Sequence, residues 1–509
     1  MSKRKTNSSE RYSEKRGIDD WSDFLDREEE RDKNNKLKNK PIVVVTYMMV
    51  LVFIGMFGYI IYFVAHDAEK VVANTSNRRQ DSYSKYVVRG DIETSDGVVV
   101  AHTEVDEEGN ETRVYPEGAA FAHVIGYNEY GRSGMELTYN FELLRSHANV
   151  MDKIRNDVKE GKNPGDTVVS TIDYDVQRAA AAALGGANGA VVAIEPDTGK
   201  VLAMYSNPAF DPNDMENVWN SVHEEGSTST VLLNRATQGL YAPGSTFKVL
   251  TTLEYIKEHP DYENYSYTCN GTDIFNGVSI RCSNNHVHGT QDLKGSLANS
   301  CNTSFCNIGC NDLNIGGLNT LCNDMLFNDD LPLDMDYSRS SYTLDTGSDS
   351  GEIPQTVIGQ GNTLITPIHN ALIMATIANG GVMMKPMFVE EIDNSDGAVV
   401  KTFKPKSSGT KLDSQLTSAI IPMLQEVCTS GTASSVMAGK PYSVAGKTGT
   451  AEYDNNGNTN SWFVGFSNVE DPDVVVSVIV EDYTTNGISG ASVAGQVFDA
   501  YYNTREASQ

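Results

Sequence analysis

Ala242-Pro243-Gly244-Ser245-Thr246-Phe247-Lys248 runs into Val249-Leu250-Thr251-Thr252-Leu253-Glu254-Tyr255-Ile256, and the rest of the chain is organised around this stretch. Pro243 and Gly244 punctuate the backbone, and apolar Phe247, Leu250, Leu253 and Ile256 then recur at helical spacing. Ser245 is therefore expected on the first turn of a largely buried helix. Lys248, one turn on, shares its face and comes within reach of the hydroxyl. The helix N-terminus adds positive potential and free N–H groups where an alkoxide or oxyanion would form. A serine so placed can be activated by a desolvated, neutral lysine acting as base.

The pair alone is a weak signal, because Ser-x-x-Lys recurs at Ser2/Lys5, Ser82/Lys85 and Ser408/Lys411. Those lie in a charged tail, a polar stretch and a Lys/Ser/Gly loop, whereas Ser245 alone opens an apolar helix. Two later elements add weight. Ser300-Cys301-Asn302 precedes Phe305, Ile308 and Leu313, again a helical pattern. A hydroxyl there can relay a proton between Lys248 and an amine, while Asn302 positions the lysine and a substrate amide. Ser283-Asn284-Asn285 matches the same pattern but sits in a His/Gly/Asn loop with no helix behind it, and is set aside as a decoy. Lys447-Thr448-Gly449-Thr450 opens a strand, where glycine lets another backbone come close, as strand addition of a peptide requires. Thr448 and Thr450 can donate to a substrate carboxylate that Lys447 attracts; the bland alternative is an edge strand with a surface lysine.

The chain has 509 residues and a formal charge of −28. Its first forty residues carry 12 basic and 10 acidic side chains, so the remainder carries about −30. So acidic a body argues against nucleic acid as a partner. From Pro41 to Ala65 there is no charged residue, and these 25 residues would rise about 37 Å as a helix, enough to cross a bilayer. Lys33, Lys36, Lys38 and Lys40 crowd one flank, while His66, Asp67 and Glu69 begin the other. That asymmetry puts the N-terminus in the cytoplasm and everything after residue 66 outside, with the segment retained as an uncleaved anchor.

Four regions follow. Residues 1–40 are expected to be a disordered tail, 41–65 the transmembrane anchor, 66–165 a turn-rich stalk or pedestal module, and 166–505 the principal domain. In the last, strands are expected at 168–172, 190–194, 200–205, 444–453, 461–466 and 474–481, with helices at 177–184, 367–377 and 493–502. A sheet built from both ends of the domain with a helical insert between is an α+β architecture. The seven cysteines, at 269, 282, 301, 306, 310, 322 and 428, do not form a disulfide framework. Cys306 and Cys310 are expected to be small buried hydrophobes. Cys269 and Cys282 flank a loop holding His286 and His288; a zinc site there and a Cys269–Cys282 disulfide both stay open, with the disulfide favoured.

With the three elements in this order, the chain resembles a class B, penicillin-binding protein A-like, membrane-anchored DD-transpeptidase of bacterial cell-wall synthesis. Asn234–Lys248, Gly359-Gln360-Gly361 with Thr366-Pro367, Ala378–Gly381, Arg89-Gly90-Asp91-Ile92 and Gly131–Glu136 share the resemblance, which covers roughly residues 87–500. It implies a serine β-lactamase-like transpeptidase domain of mixed sheet with a helical subdomain, a small pedestal and one transmembrane helix. In it Ser245 attacks the penultimate D-Ala of a stem peptide and Lys248 takes the proton. The N–H groups of Ser245 and Thr450 form the oxyanion hole, Ser300 and Asn302 assist proton transfer, and Lys447, Thr448, Gly449 and Thr450 hold the carboxylate. An amine on a neighbouring stem resolves the ester, and β-lactams remain on Ser245. No metal or cofactor is implied. The short pedestal leaves no room for a glycosyltransferase domain, which implies a separate polytopic glycan polymerase as partner. A DD-carboxypeptidase or β-lactamase is the nearest enzymatic rival. A β-lactam sensor and a non-catalytic division scaffold are ranked lower, because Asn302 and every catalytic element are retained.

Overall fold

The computed structural model describes residues 16–66, 78–159, 161–454 and 456–506. The chain divides into two units, Met1–Asn77 and Arg78–Gln509. The first is dominated by one helix, α1 (Arg16–His66), whose described side chains are exposed along almost its whole length. It is long and apolar enough to cross a membrane. Residues 16–40, expected as a disordered tail, are helical; residues 1–15 and, of the stalk or pedestal expected at 66–165, residues 67–77 and 160 lie outside the described residues. Helix propagates cheaply from a preformed apolar segment. Good helix formers and the i,i+4 pair Glu29–Lys33 (3.9 Å) then suffice.

From residue 78 the chain runs through β1 (Ile92–Glu93), β2 (Val99–Val105), β3 (Glu111–Val114) and β4 (Thr167–Ser170). There follow α2 (Tyr174–Leu184), the hairpin β5 (Gly189–Ile194) and β6 (Val201–Asn207), and α3 (Lys248–Glu258). A small-strand region holds β7 (Tyr267–Cys269), β8 (Thr272–Phe275), β9 (Val278–Arg281) and β10 (Gly289–Gln291), succeeded by α4 (Leu293–Ala298), α5 (Asn302–Asn307) and α6 (Pro367–Ala378). The hairpin β11 (Val389–Asp393) and β12 (Val399–Thr402), α7 (Ser414–Thr429), β13 (Val444–Glu452), β14 (Thr459–Ser467), β15 (Val474–Val480) and α8 (Gly490–Glu506) complete it.

The principal sheet has order β13-β14-β15-β5-β6, every pair antiparallel, so strands from both ends of the domain meet at β15–β5 as the sequence led one to expect. Every residue of β5 and β15 is buried, which requires cover on both faces. The helices α6 on β5, β14 and β15, and α2 with α8 on β6, β14 and β15, supply it. β13 is left at the sheet edge, with α7 and the turn before α3 packed against it.

The pedestal sheet is ordered β12-β11-β4-β1-β2-β3, with β1 and β4 parallel. A boundary at residue 165 is therefore too simple: β4 and the late hairpin β11–β12 extend the sheet that 92–114 begin. The late hairpin sits more than two hundred residues away in sequence, and its pairing is invisible to local periodicity. The module's centre is a buried ion cluster. Glu136, fully buried, accepts from Arg113 Nε at 2.7 Å and from Arg89, and Arg89 also donates to Asn140 Oδ1 at 2.6 Å. These arginines and the glutamate explain why Arg89–Ile92 and Gly131–Glu136 read as module motifs. Burial alone would raise the Glu136 carboxyl, but the two guanidiniums outweigh it and hold it below its ordinary range. Glu136→Gln would leave two buried cations short of a counter-charge. It is expected to cost about 3–5 kcal/mol, read as a lowered melting temperature.

Candidate active site

Gly244–Phe247 form one 3-10 turn that passes directly into α3, so Ser245 lies half-buried on the first turn, as expected. Two glycines make that turn possible. Gly244 adopts φ 54°, and a Cβ there would lie 2.7 Å from the Thr450 carbonyl oxygen. Gly359, at φ 81°, would drive a Cβ to 1.9 Å from the Gly244 oxygen, and its own carbonyl accepts from Gly244 N–H at 2.9 Å. The Gly359-Gln360-Gly361 segment is thus a backbone brace under the nucleophile turn.

Lys248 is wholly buried. Its Nζ donates to Asn302 Oδ1 at 2.7 Å, to the Ser300 carbonyl at 2.8 Å and to Ser300 Oγ at 3.3 Å, and lies 5.4 Å from the Phe305 ring centroid. No direct Ser245–Lys248 hydrogen bond is present among these partners; the lysine is aimed at the second element from one turn behind the serine. Burial is the main cause that lowers its pKa to about 8, partly offset by the thiols of Cys301, Cys306 and Cys282. Ser300 sits at φ 53°, a costly backbone region for a serine, and Cys301 begins α5 as its N-cap. That strain turns the Ser300 carbonyl and hydroxyl toward Lys248 together.

The third element is β13 at the sheet edge. A Cβ on Gly449 would meet the Pro243 carbonyl and Thr246 Cγ2 at 3.1 Å each, so glycine lets the strand lie against the serine turn. Trp462 Nε1, from β14, donates to the Ala242 carbonyl at 3.0 Å and fixes the same turn from the other side. Lys447 is not the surface lysine of the bland alternative. It is fully buried, donates to the Thr448 carbonyl at 2.9 Å, and has its pKa pushed well down by burial and by nearby Lys248. Thr450 is exposed and Thr448 half-buried, so these two threonines rather than Lys447 are open to solvent. Ser245, Lys248, Ser300, Asn302, Lys447, Thr448, Gly449 and Thr450 thus converge, while the decoy Ser283–Asn285 stays in its own turn.

Sequence reasoning missed Thr432, whose hydroxyl is 2.6 Å from that of Thr448. A lone Ser-Gly-Thr turn carries no signal of its own; only the packing of α7 against β13 places it.

Comparison with known proteins agrees with this geometry. Residues 189–503 match the penicillin binding protein transpeptidase domain, and 89–168 the penicillin binding protein A dimerisation domain. The chain is 30% identical over 449 residues to the peptidoglycan D,D-transpeptidase PbpA of Mycolicibacterium smegmatis, covering 82% of this chain and 88% of that one. The D,D-transpeptidase domain of a peptidoglycan glycosyltransferase from Eggerthella lenta superposes with TM-score 0.72 at 29% identity, over 82% of this chain and 98% of that one. An imipenem acyl-enzyme complex of penicillin-binding protein A from M. tuberculosis does so with TM-score 0.73 at 27% identity, over 82% and 99%. This chain belongs to the penicillin-binding protein transpeptidase family.

Proposed function

We propose that the chain is a peptidoglycan DD-transpeptidase working through an ester on Ser245. The observation that carries this is a buried lysine of lowered pKa, held by Ser300 and Asn302 one helical turn from a serine. Neutral Lys248 takes the Ser245 proton as Oγ adds to the penultimate D-Ala carbonyl, and the tetrahedral oxyanion is met by the N–H groups of Ser245 and Thr450. Ser300, within hydrogen-bond reach of Lys248, passes the proton to the departing D-Ala amine. Thr448 and Thr450 hold the terminal carboxylate, with Lys447 buried behind them on the same strand. Deacylation by an acceptor amine on a neighbouring stem gives the cross-link. A β-lactam follows the same first step and keeps its leaving group tethered.

The direct test offers the full chain a D-Ala-D-Ala pentapeptide donor with an amine acceptor and follows products by mass spectrometry. Release of D-Ala with formation of the amide dimer is the expected result. Release of D-Ala with only the shortened, hydrolysed donor would assign a carboxypeptidase instead. Thr432→Val, which removes the partner of the Thr448 hydroxyl, is expected to weaken non-covalent β-lactam capture roughly 3- to 10-fold while leaving the acylation rate constant unchanged. Stopped-flow saturation kinetics separate the two.

The apolar α1 with lysines on its N-terminal flank supports a single-pass cell-membrane protein, its N-terminus cytoplasmic and the catalytic domain outside or periplasmic. The small pedestal, built around the buried Arg89–Glu136–Arg113 cluster, is compatible with a separate polytopic glycan polymerase as partner.

A further inference from the structure

We propose that Cys269, Cys282, His288 and Cys301 form a zinc site that fixes the Ser300–Asn302 element. Their donor atoms come from separate segments: the end of β7, the residue after β9, the residue before β10, and the junction of α4 with α5. All four lie within 4.8 Å of one another. Cys269 Sγ is 3.7 Å from Cys282 Sγ, Cys282 Sγ is 3.8 Å from Cys301 Sγ, and Cys269 Sγ is 3.4 Å from His288 Nδ1. A tetrahedron with Zn–S near 2.3 Å has S···S edges of about 3.8 Å and S···N edges of about 3.6 Å. These three edges fit that figure, whereas a disulfide requires about 2.05 Å. All seven cysteines are free, so the Cys269–Cys282 disulfide favoured on sequence is replaced by a four-membered cluster that adds Cys301 and leaves exposed His286 out.

The surroundings suit thiolates. The three cysteines are at most 3% exposed and form a small cluster of their own, with Tyr267 packed against it. Gly271 N–H donates to Cys269 Sγ at 3.3 Å and the Thr303 hydroxyl donates to it at 3.2 Å. Gly271 is at φ 84°, where a Cβ would lie 2.6 Å from the Asn285 carbonyl, and its carbonyl accepts from Cys282 N–H at 2.9 Å. This folds the Cys269 and Cys282 loops onto each other. Binding converts three thiols to thiolates with release of three protons, leaves the imidazole neutral, and closes a Cys₃His shell carrying one net negative charge. With four protein ligands it has no open position, so its role is structural.

The location gives that role a consequence. Cys301 is the central residue of Ser300-Cys301-Asn302, whose two flanking residues hold Lys248. Asn302 also donates to the Arg281 carbonyl at 2.8 Å, beside Cys282. Metal on Cys301 and Cys282 would anchor both ends of this grip and sustain the left-handed Ser300.

Elemental analysis of the full chain, purified in detergent without added metal, is expected to give zinc at about one equivalent per chain. Adding Co²⁺ to chelator-stripped protein is expected to produce intense visible bands of tetrahedral thiolate coordination. Cys282→Ser and His288→Ala are expected to lose or weaken both signals, and stripping is expected to lower the melting temperature reversibly. These readouts do not depend on β-lactam reactivity, so they separate the metal proposal from the acyl-transfer one. Two results would overturn it: an oxidised Cys269–Cys282 pair in non-reducing peptide mapping, or stripped parent protein that shows no Co²⁺ bands and melts unchanged on adding Zn²⁺.

Discussion

Ser245→Ala is expected to abolish covalent labelling by a fluorescent penicillin, with no adduct in the intact mass, while the parent keeps its label for many minutes. The acyl bond is made to the side-chain oxygen, so the loss is complete rather than graded. Alanine fits the helical turn and removes only a half-buried hydroxyl, so the melting temperature is expected to stay within about 2 °C of the parent. The experiment also decides between two hydroxyls. Ser300 Oγ is 3.3 Å from Lys248 Nζ, whereas Ser245 makes no bond to that amine. Persistent label on the alanine variant, mapped to Ser300, would transfer the nucleophile to the second element. Ser245 is favoured because it lies on the first turn that runs into α3, under strand β13, where helix N–H groups converge on a developing oxyanion. Rapid loss of label from the parent would make the enzyme a hydrolase.

Removing the amine of Lys248 is the second large effect. Lys248→Met keeps the volume of the buried chain and deletes the base, and acylation is expected to fall about 10²- to 10⁴-fold. The parent's acylation rate is expected to rise with pH and level off above about 8, the value to which burial brings the lysine. The sign follows from the role: a base must be unprotonated, and the neutral fraction grows as pH climbs through that value. Relative to an ordinary lysine near 10.5, the shift enlarges the neutral population at pH 7 by about 300-fold. A profile that falls over the same interval would assign Lys248 a protonated, purely electrostatic role. The methionine variant is expected to lose the pH-dependent limb altogether.

Much of this was legible in the residues. Phe247, Leu250, Leu253 and Ile256 mark a buried helix because its period is local, and β5 and β15 are dense in β-branched residues. The uncharged run 41–65 marks a membrane span by length alone. The helical state of 16–40 was not legible, since a charged segment without a buried face gives no periodic signal to read. The order of Ser245, Ser300 and Lys447 pointed to one site, but their chemistry in sequence was generic.

Sequence by itself marked the main strands and helices of the sheet domain, an apolar run long enough to cross a membrane and the candidate reacting groups, because each mark depends on residues within one or two turns of one another. Tertiary packing alone decided that Lys447 is buried instead of solvated, that Lys248 is held by Ser300 and Asn302, and that Thr432 meets Thr448. It also gathered Cys301 to Cys269, Cys282 and His288 from four segments. Such contacts follow from which surfaces the folded chain brings within a few ångströms, and desolvation, which sets the lysines' protonation, exists only once those surfaces have closed.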